Sequence, residues 1–172
     1  MSSGKKLAIV AGNGELTSIL AKSACDQGFN TIGLAITEDA KLRLENLCDK
    51  VYKISPGQVS KMLGLIKSEM ISQVVFIGKV PKLDLLRNVH KLDWIAIKNL
   101  SKLSNFNDDT IHSGIVDFLE KSNVKVLPQT MFLKSLFIEK EILSKRKPNL
   151  EERINIEYGY ELAKKIASLD IG

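Results

Sequence analysis

Leu7-Ala8-Ile9-Val10-Ala11-Gly12-Asn13-Gly14-Glu15-Leu16 decides the fold. An unbroken apolar run after Lys5-Lys6 predicts a strand buried on both faces. Two glycines in three positions then predict a tight turn, and a helix follows from Glu15. A buried strand that turns sharply into a helix is the first half of a βαβ unit. The first N–H groups of a helix lack intrahelical acceptors, and the helix dipole is positive there. Gly12, Asn13 and Gly14 are therefore expected to turn bare amides toward an anionic group, with Glu15 beside them. A phosphate suits that geometry. The same glycines would also serve a tight turn with no ligand. The full dinucleotide fingerprint puts a third glycine at position 17, where this chain has Thr17.

Outward from this stretch, strand and helix alternate. Glu15 to Gln27 predicts a helix with Leu16, Ile19, Leu20 and Ala24 on one face, closed by Gly28. Thr31–Ile36 predicts a second strand, 40–47 a short helix and Val51–Ile54 a third strand ended by Ser55-Pro56-Gly57. Gln58 to Met70 predicts a helix packed through Met62, Leu65, Ile66 and Met70. Gln73–Ile77 predicts a fourth strand, the most clearly buried of them. After Gly78, the segment 83–103 is apolar at helical spacing, with a break near Asn88. Asn107-Asp108-Asp109 reads as a helix start, and 124–127 as a fifth strand stopped by Pro128. The expected architecture is α/β: a Rossmann-like, doubly wound parallel sheet of about five strands over residues 1–130.

Residues 131–172 read differently, as a linker and a helical extension. Asn149 caps a helix, with Glu152 three residues on. Leu150, Ile154, Tyr158, Leu162, Ile166 and Leu169 then recur every three or four residues, an apolar face that needs something to lie against.

Composition narrows the function classes. The chain has 172 residues, 44% of them apolar, and no apolar run long enough to span a bilayer. Met1–Lys6 runs into a strand-length apolar stretch with no small-residue cleavage site, so no signal peptide is expected. Two cysteines, Cys25 and Cys48, fit a reduced, cytoplasmic setting. The net charge of +5 comes from scattered lysines, which argues for a solvated surface more than for a basic stripe. Nucleic-acid binding is not expected, because Trp94 stands without interleaved aromatics and cations.

In an open parallel sheet, ligands bind at the carboxyl ends of the strands. That rule adds Gln58, whose amide can pair with a base or phosphate, and Gly78-Lys79, a flexible cation after the fourth strand. Glu38 and Asp39 follow the second strand, where an acid could hold a ribose. His90 and His112 have no metal-ligand spacing, and Cys25 reads as a packing residue. No set of catalytic acid, base and metal ligands stands out.

Together these stretches resemble the UDP-2,3-diacylglucosamine pyrophosphatases of the LpxI type. The resemblance runs through Ile9–Leu16, Gly57-Gln58, Phe76-Ile77-Gly78-Lys79-Val80, Asp108-Asp109, Leu143–Pro148, Tyr158-Gly159 and Leu169–Gly172 in order. It implies a UDP-sugar lipid as substrate and hydrolysis to UMP and lipid X in lipid A synthesis of Gram-negative bacteria. It further implies magnesium or manganese in the complete enzyme, a two-domain protein with the catalytic carboxylate in its second domain, and a cytoplasmic site with peripheral contact at the inner membrane. Residues 131–172 would then open that second domain, the rest of which is not in this sequence. Binding without efficient hydrolysis is the expectation. A homodimer, or a second domain on another chain, is the expected partner for the apolar helix. Two other readings stay open: an NAD-type dinucleotide module using Glu38 or Asp39, and a non-catalytic interaction module.

Overall fold

β1 (Lys6–Ala11) lies at the centre of a parallel sheet because it is apolar on both faces, and Leu7, Ala8, Ile9 and Ala11 are fully buried. The computed structural model describes residues 5–81, 116–138 and 142–168. It divides into two compact units, 1–136 and 137–172.

In the first unit, β1 is followed by α1 (Leu16–Asp26), β2 (Asn30–Ala35), α2 (Glu38–Leu44), β3 (Lys50–Lys53), α3 (Val59–Ser68) and β4 (Gln73–Ile77). The helical residues 116–121 lead to β5 (Lys125–Val126). The sheet order is β3-β2-β1-β4-β5, and every adjacent pair is parallel. This is the doubly wound arrangement, and the chain reverses its direction of travel between β1 and β4.

Strand alternation divides the core into two layers. Leu7, Ile9 and Ala11 face Leu20, Ala21 and Ala24 of α1 and Ala40 and Leu44 of α2. Ala8 and Val10 face Met62 and Ile66 of α3, together with Leu119. Gly33 in β2 leaves room for Leu44, whose Cδ1 would lie 3.0 Å from a Cβ there.

Two expectations are corrected in detail. The buried face of α1 is Thr17, Leu20, Ala21 and Ala24, while Leu16 is exposed. Met70 does not extend the α3 face. It is exposed with φ 54, and the chain turns there.

The first unit runs past residue 130. Two short 3-10 turns, Gln129–Met131 and Lys134–Leu136, close it. Phe132 is 1% exposed and meets Phe29 edge to face at 5.6 Å.

In the second unit, the helix Leu150–Ala167 begins with a complete capping box between Asn149 and Glu152. Arg146 forks onto the Glu152 carboxylate at 2.7 and 2.9 Å. Leu150, Ile154, Tyr158, Leu162 and Ile166 are all exposed. No helix among the described residues is long and apolar enough to cross a membrane. The expectations for 83–103, Trp94, Asn107–Asp109, His90, His112 and Leu169 fall outside the described residues.

Candidate functional site

The carboxyl ends of β1 and β4 meet at the reversal point, where an open α/β sheet forms its crevice. The two loops that leave these strands are joined. Gly12 N–H donates to Ile77 O at 2.9 Å, Asn13 N–H to Lys79 O at 2.8 Å, and Lys79 N–H to Asn13 O at 2.9 Å. A Cβ on Gly12 would lie 2.3 Å from Lys79 O, and one on Gly78 would lie 2.7 Å from Asn13 O. The backbones cross so closely that only glycine fits at either position.

This crossing relocates the amides expected to be bare. Gly12 and Asn13 spend theirs on the β4 loop. Gly14, with φ +124, donates its N–H to Asp39 Oδ2 at 3.0 Å. In the β1–α1 turn it is instead the N–H groups of Glu15 and Leu16, one step into the start of α1, that make no hydrogen bond among the described residues. Thr17 is fully buried and donates its hydroxyl to Gly12 O at 3.2 Å, which fastens the turn onto the helix. Thr17 thus occupies the place of the third fingerprint glycine and packs there.

The remaining candidates are spread along the same edge of the sheet. Glu15 and Lys79 are exposed at the crevice, and the Lys79 ammonium has no recorded partner among the described residues. Asn13 Oδ1 is enclosed and has no hydrogen-bond partner among them either. Gln58 is not brought to this point. It follows β3, two strand spacings or about 10 Å from β1. Its carboxamide oxygen accepts the Ser55 N–H at 2.9 Å and so closes its own turn.

Both acids after β2 have partners within the chain. The Glu38 carboxylate meets Lys53 Nζ at 2.7 Å, which holds it below the usual carboxylate range. Asp39 accepts Arg43 Nε on both oxygens at 2.9 Å. The Arg43 guanidinium, and then the Gly14 N–H, lower the Asp39 carboxyl further. Arg43 was not among the sequence candidates. Its signal was present as an acid and a base four residues apart on one helix. No three His, Cys, Asp or Glu side chains among the described residues are grouped to hold a metal ion.

Several known proteins share parts of this architecture. N5-carboxyaminoimidazole ribonucleotide synthetase from Thermotoga maritima is 16% identical, with a TM-score of 0.42 over 76% of this chain and 26% of that one. N5-carboxyaminoimidazole synthetase from Staphylococcus aureus is 17% identical, with a TM-score of 0.37 over 54% and 24%. UDP-glucose 4-epimerase from Bifidobacterium longum, in complex with NAD+ and UDP, is 10% identical, with a TM-score of 0.40 over 84% and 42%. This chain spans about a quarter of the length of the two synthetases. At these identities the likeness concerns the fold only. No curated protein matches the chain. The family model of the LpxI N-terminal domain matches residues 6–136, a span that holds both glycine loops of the crevice. The chain belongs to the LpxI N-terminal domain family.

Proposed function

We propose that the first unit is the nucleotide-binding half of a UDP-2,3-diacylglucosamine pyrophosphatase, acting in lipid A synthesis. The observation that carries this reading is the meeting of the two glycine loops at the β1–β4 reversal, inside a segment that matches the family. The substrate's diphosphate would accept the N–H groups of Glu15 and Leu16 at the positive end of α1. Lys79 would supply the mobile countercharge from the facing loop. The enclosed Asn13 Oδ1 is an acceptor in search of a donor, and a uracil imide or a sugar hydroxyl would provide one. Gly12 and Gly78 let the two loops cross beside the start of α1, and Gly14 supplies the left-handed turn that leads into it. Gln58 would reach the ligand only through its amide nitrogen, from the flank of the crevice.

Magnesium or manganese would balance the diphosphate charge and assist attack at the α-phosphorus in the complete enzyme. The described residues show no preformed ligand cluster for it. The catalytic carboxylate would come from a second domain.

The NAD-type reading fares worse. It needs Glu38 or Asp39 for a ribose, and both carboxylates are engaged by Lys53 and by Arg43 with Gly14.

Calorimetry with UDP, UMP and NAD on the full chain tests the proposal. Saturable binding of UDP, weaker binding of UMP and no heat with NAD are expected. Tight NAD binding, or no uptake of either uridine nucleotide, would remove it. UMP release from UDP-2,3-diacylglucosamine with added magnesium or manganese measures whether the chain also carries catalysis. Little or none is expected.

A further inference from the structure

An anion already occupies the crevice rim, and it belongs to the protein. Asp39 Oδ2 accepts the Gly14 N–H at 3.0 Å. Both Asp39 oxygens also accept Arg43 Nε at 2.9 Å. The guanidinium therefore lies within about 6 Å of the Gly14 amide, one carboxylate away from it. Arg43 offers five N–H donors and uses one. Its two terminal nitrogens have no recorded hydrogen bond among the described residues. Those are the atoms that grip phosphate in a fork. Both side chains are about one-third exposed, 39% for Asp39 and 32% for Arg43, so either can swing without unpacking the core.

We propose that Asp39 is an internal placeholder for a ligand phosphate, and that Arg43 is a phosphate-binding residue which Asp39 holds in reserve. This rests on the nucleotide reading of the same crevice. A single N–H cannot serve a carboxylate and a phosphate oxygen together. A diphosphate that takes the Gly14 amide must displace Asp39, and its own charge repels that carboxylate as it arrives. Arg43 then loses one anion and finds another within the reach of its side chain. Asp39 first, and Glu15 last, favour the charged form of Arg43 at this rim. The arrangement has a chemical consequence. The Asp39–Arg43 pair balances charge at the rim, so the site selects ligands with enough negative charge to compete with a carboxylate. A diphosphate qualifies, and a bare nucleoside does not.

The test is calorimetry with UDP and with uridine on the full chain, on wild type, Asp39→Asn, Asp39→Ala, Arg43→Ala and the double variant Asp39→Ala/Arg43→Ala. Thermal melting checks that each variant folds. Removing the competitor should tighten UDP binding about tenfold in both Asp39 variants, within the range of one charge-assisted hydrogen bond. Arg43→Ala should weaken UDP binding in either background, and weak uridine binding should not change. Wild-type UDP binding that stays equal or weakens on Asp39→Asn overturns the placeholder and leaves the nucleotide reading intact. Weaker UDP and weaker uridine binding together would instead mark Asp39 as a ribose acceptor. Failure of wild type and of both Asp39 variants to take up UDP overturns the placeholder and the nucleotide reading together.

Discussion

Gly12 and Gly78 sit where the two loops cross in backbone contact, and each is a glycine because of the other loop. A Cβ on Gly12 would run into the Lys79 carbonyl at 2.3 Å. A Cβ on Gly78 would meet Asn13 O at 2.7 Å, on a backbone with φ +82. Gly28 ends α1 with φ +81 but has nothing within 4 Å of a built Cβ. Gly28→Ala should therefore cost only the left-handed conformation, about 1 kcal/mol. Gly12→Ala and Gly78→Ala should each cost about 3 kcal/mol, because backbone must move in a packed sheet. Urea unfolding separates these cases, and equal losses at all three glycines would contradict the close crossing. The sequence showed these glycines but not this use of them. Their spacing suggested amides open to a ligand, and their job proves to be letting two loops touch. The opposite end of the sheet holds a titratable knot. The Glu69 carboxylate accepts the Tyr52 hydroxyl and Lys50 Nζ, the latter at 2.9 and 3.0 Å. Tyr52 first, then Lys50, hold Glu69 below its ordinary range. A depressed folded value adds stability that is present above the unfolded pKa of about 4.3 and lost as pH falls through the folded one. Glu69→Gln should therefore destabilise at pH 7, with the difference shrinking below about pH 4. The same contact raises the Tyr52 phenol, so its contribution is full below about pH 10 and fades as pH rises through the folded value. Urea midpoints for wild type and Glu69→Gln across pH 3–11 check both limbs, and a gap that does not vary with pH would refute the linkage.

At the scale of elements, what pattern could show was strand existence and helix caps. β4 spans Gln73–Ile77 as predicted, because the apolar run Val74–Ile77 fills the sheet interior and Gly78 stops it. The Asn149–Glu152 capping box is likewise legible, since two side chains at fixed spacing satisfy two N–H groups. The phase of α1 was not. Thr17 is buried and Leu16 exposed because the Thr17 hydroxyl finds Gly12 O. A polar group that gains a partner can enter a core, and apolar periodicity cannot anticipate that. The 131–136 stretch was hidden for another reason. Phe132 and Leu133 are apolar neighbours that suit a helix of a second domain, yet they complete the layer around α1 and β4. Their attachment depends on Phe29, more than a hundred positions earlier in the chain. Phe132→Ala should then destabilise the first unit by about 3–5 kcal/mol, the usual cost of deleting a buried phenyl ring. Hydrogen exchange at Leu7–Val10 reports on that unit directly. Unchanged protection there, with loss confined to 150–167, would place Phe132 with the second unit instead.

For the whole molecule, the strand order β3-β2-β1-β4-β5 does what no single motif does. It brings the loops after positions 11 and 77 to one point, although 65 positions separate Asn13 from the Gly78 that faces it. Alternation of strand and helix predicted a parallel sheet, and with it the rule that ligands sit at carboxyl ends. It did not fix which loops adjoin, because that depends on where the winding reverses. Gln58 shows the gap. It sits at a carboxyl end, as the rule requires, yet β2 stands between its strand and the crevice. Asp39 and Arg43 show the converse, since their role at the rim emerges only once α2 lies beside the β1 turn. A ligand at the reversal point should leave a one-sided footprint. UDP added to the labelled full chain should shift the backbone amides of residues 12–16, 39 and 78–80 most. Those of 55–58 should move less, being two strands away. Amides at the amino ends, around Lys6, Asn30, Lys50 and Gln73, should stay in place, because the length of the sheet separates them from the crevice and the core between is close-packed. The expected gradient is set by strand position and not by distance along the chain, so Gly78 should move with Gly12 while the nearer Asn30 does not. Shifts that follow sequence proximity, or that centre on the Ser55–Gln58 turn, would put the ligand elsewhere on this edge and withdraw the role given to the paired glycine loops.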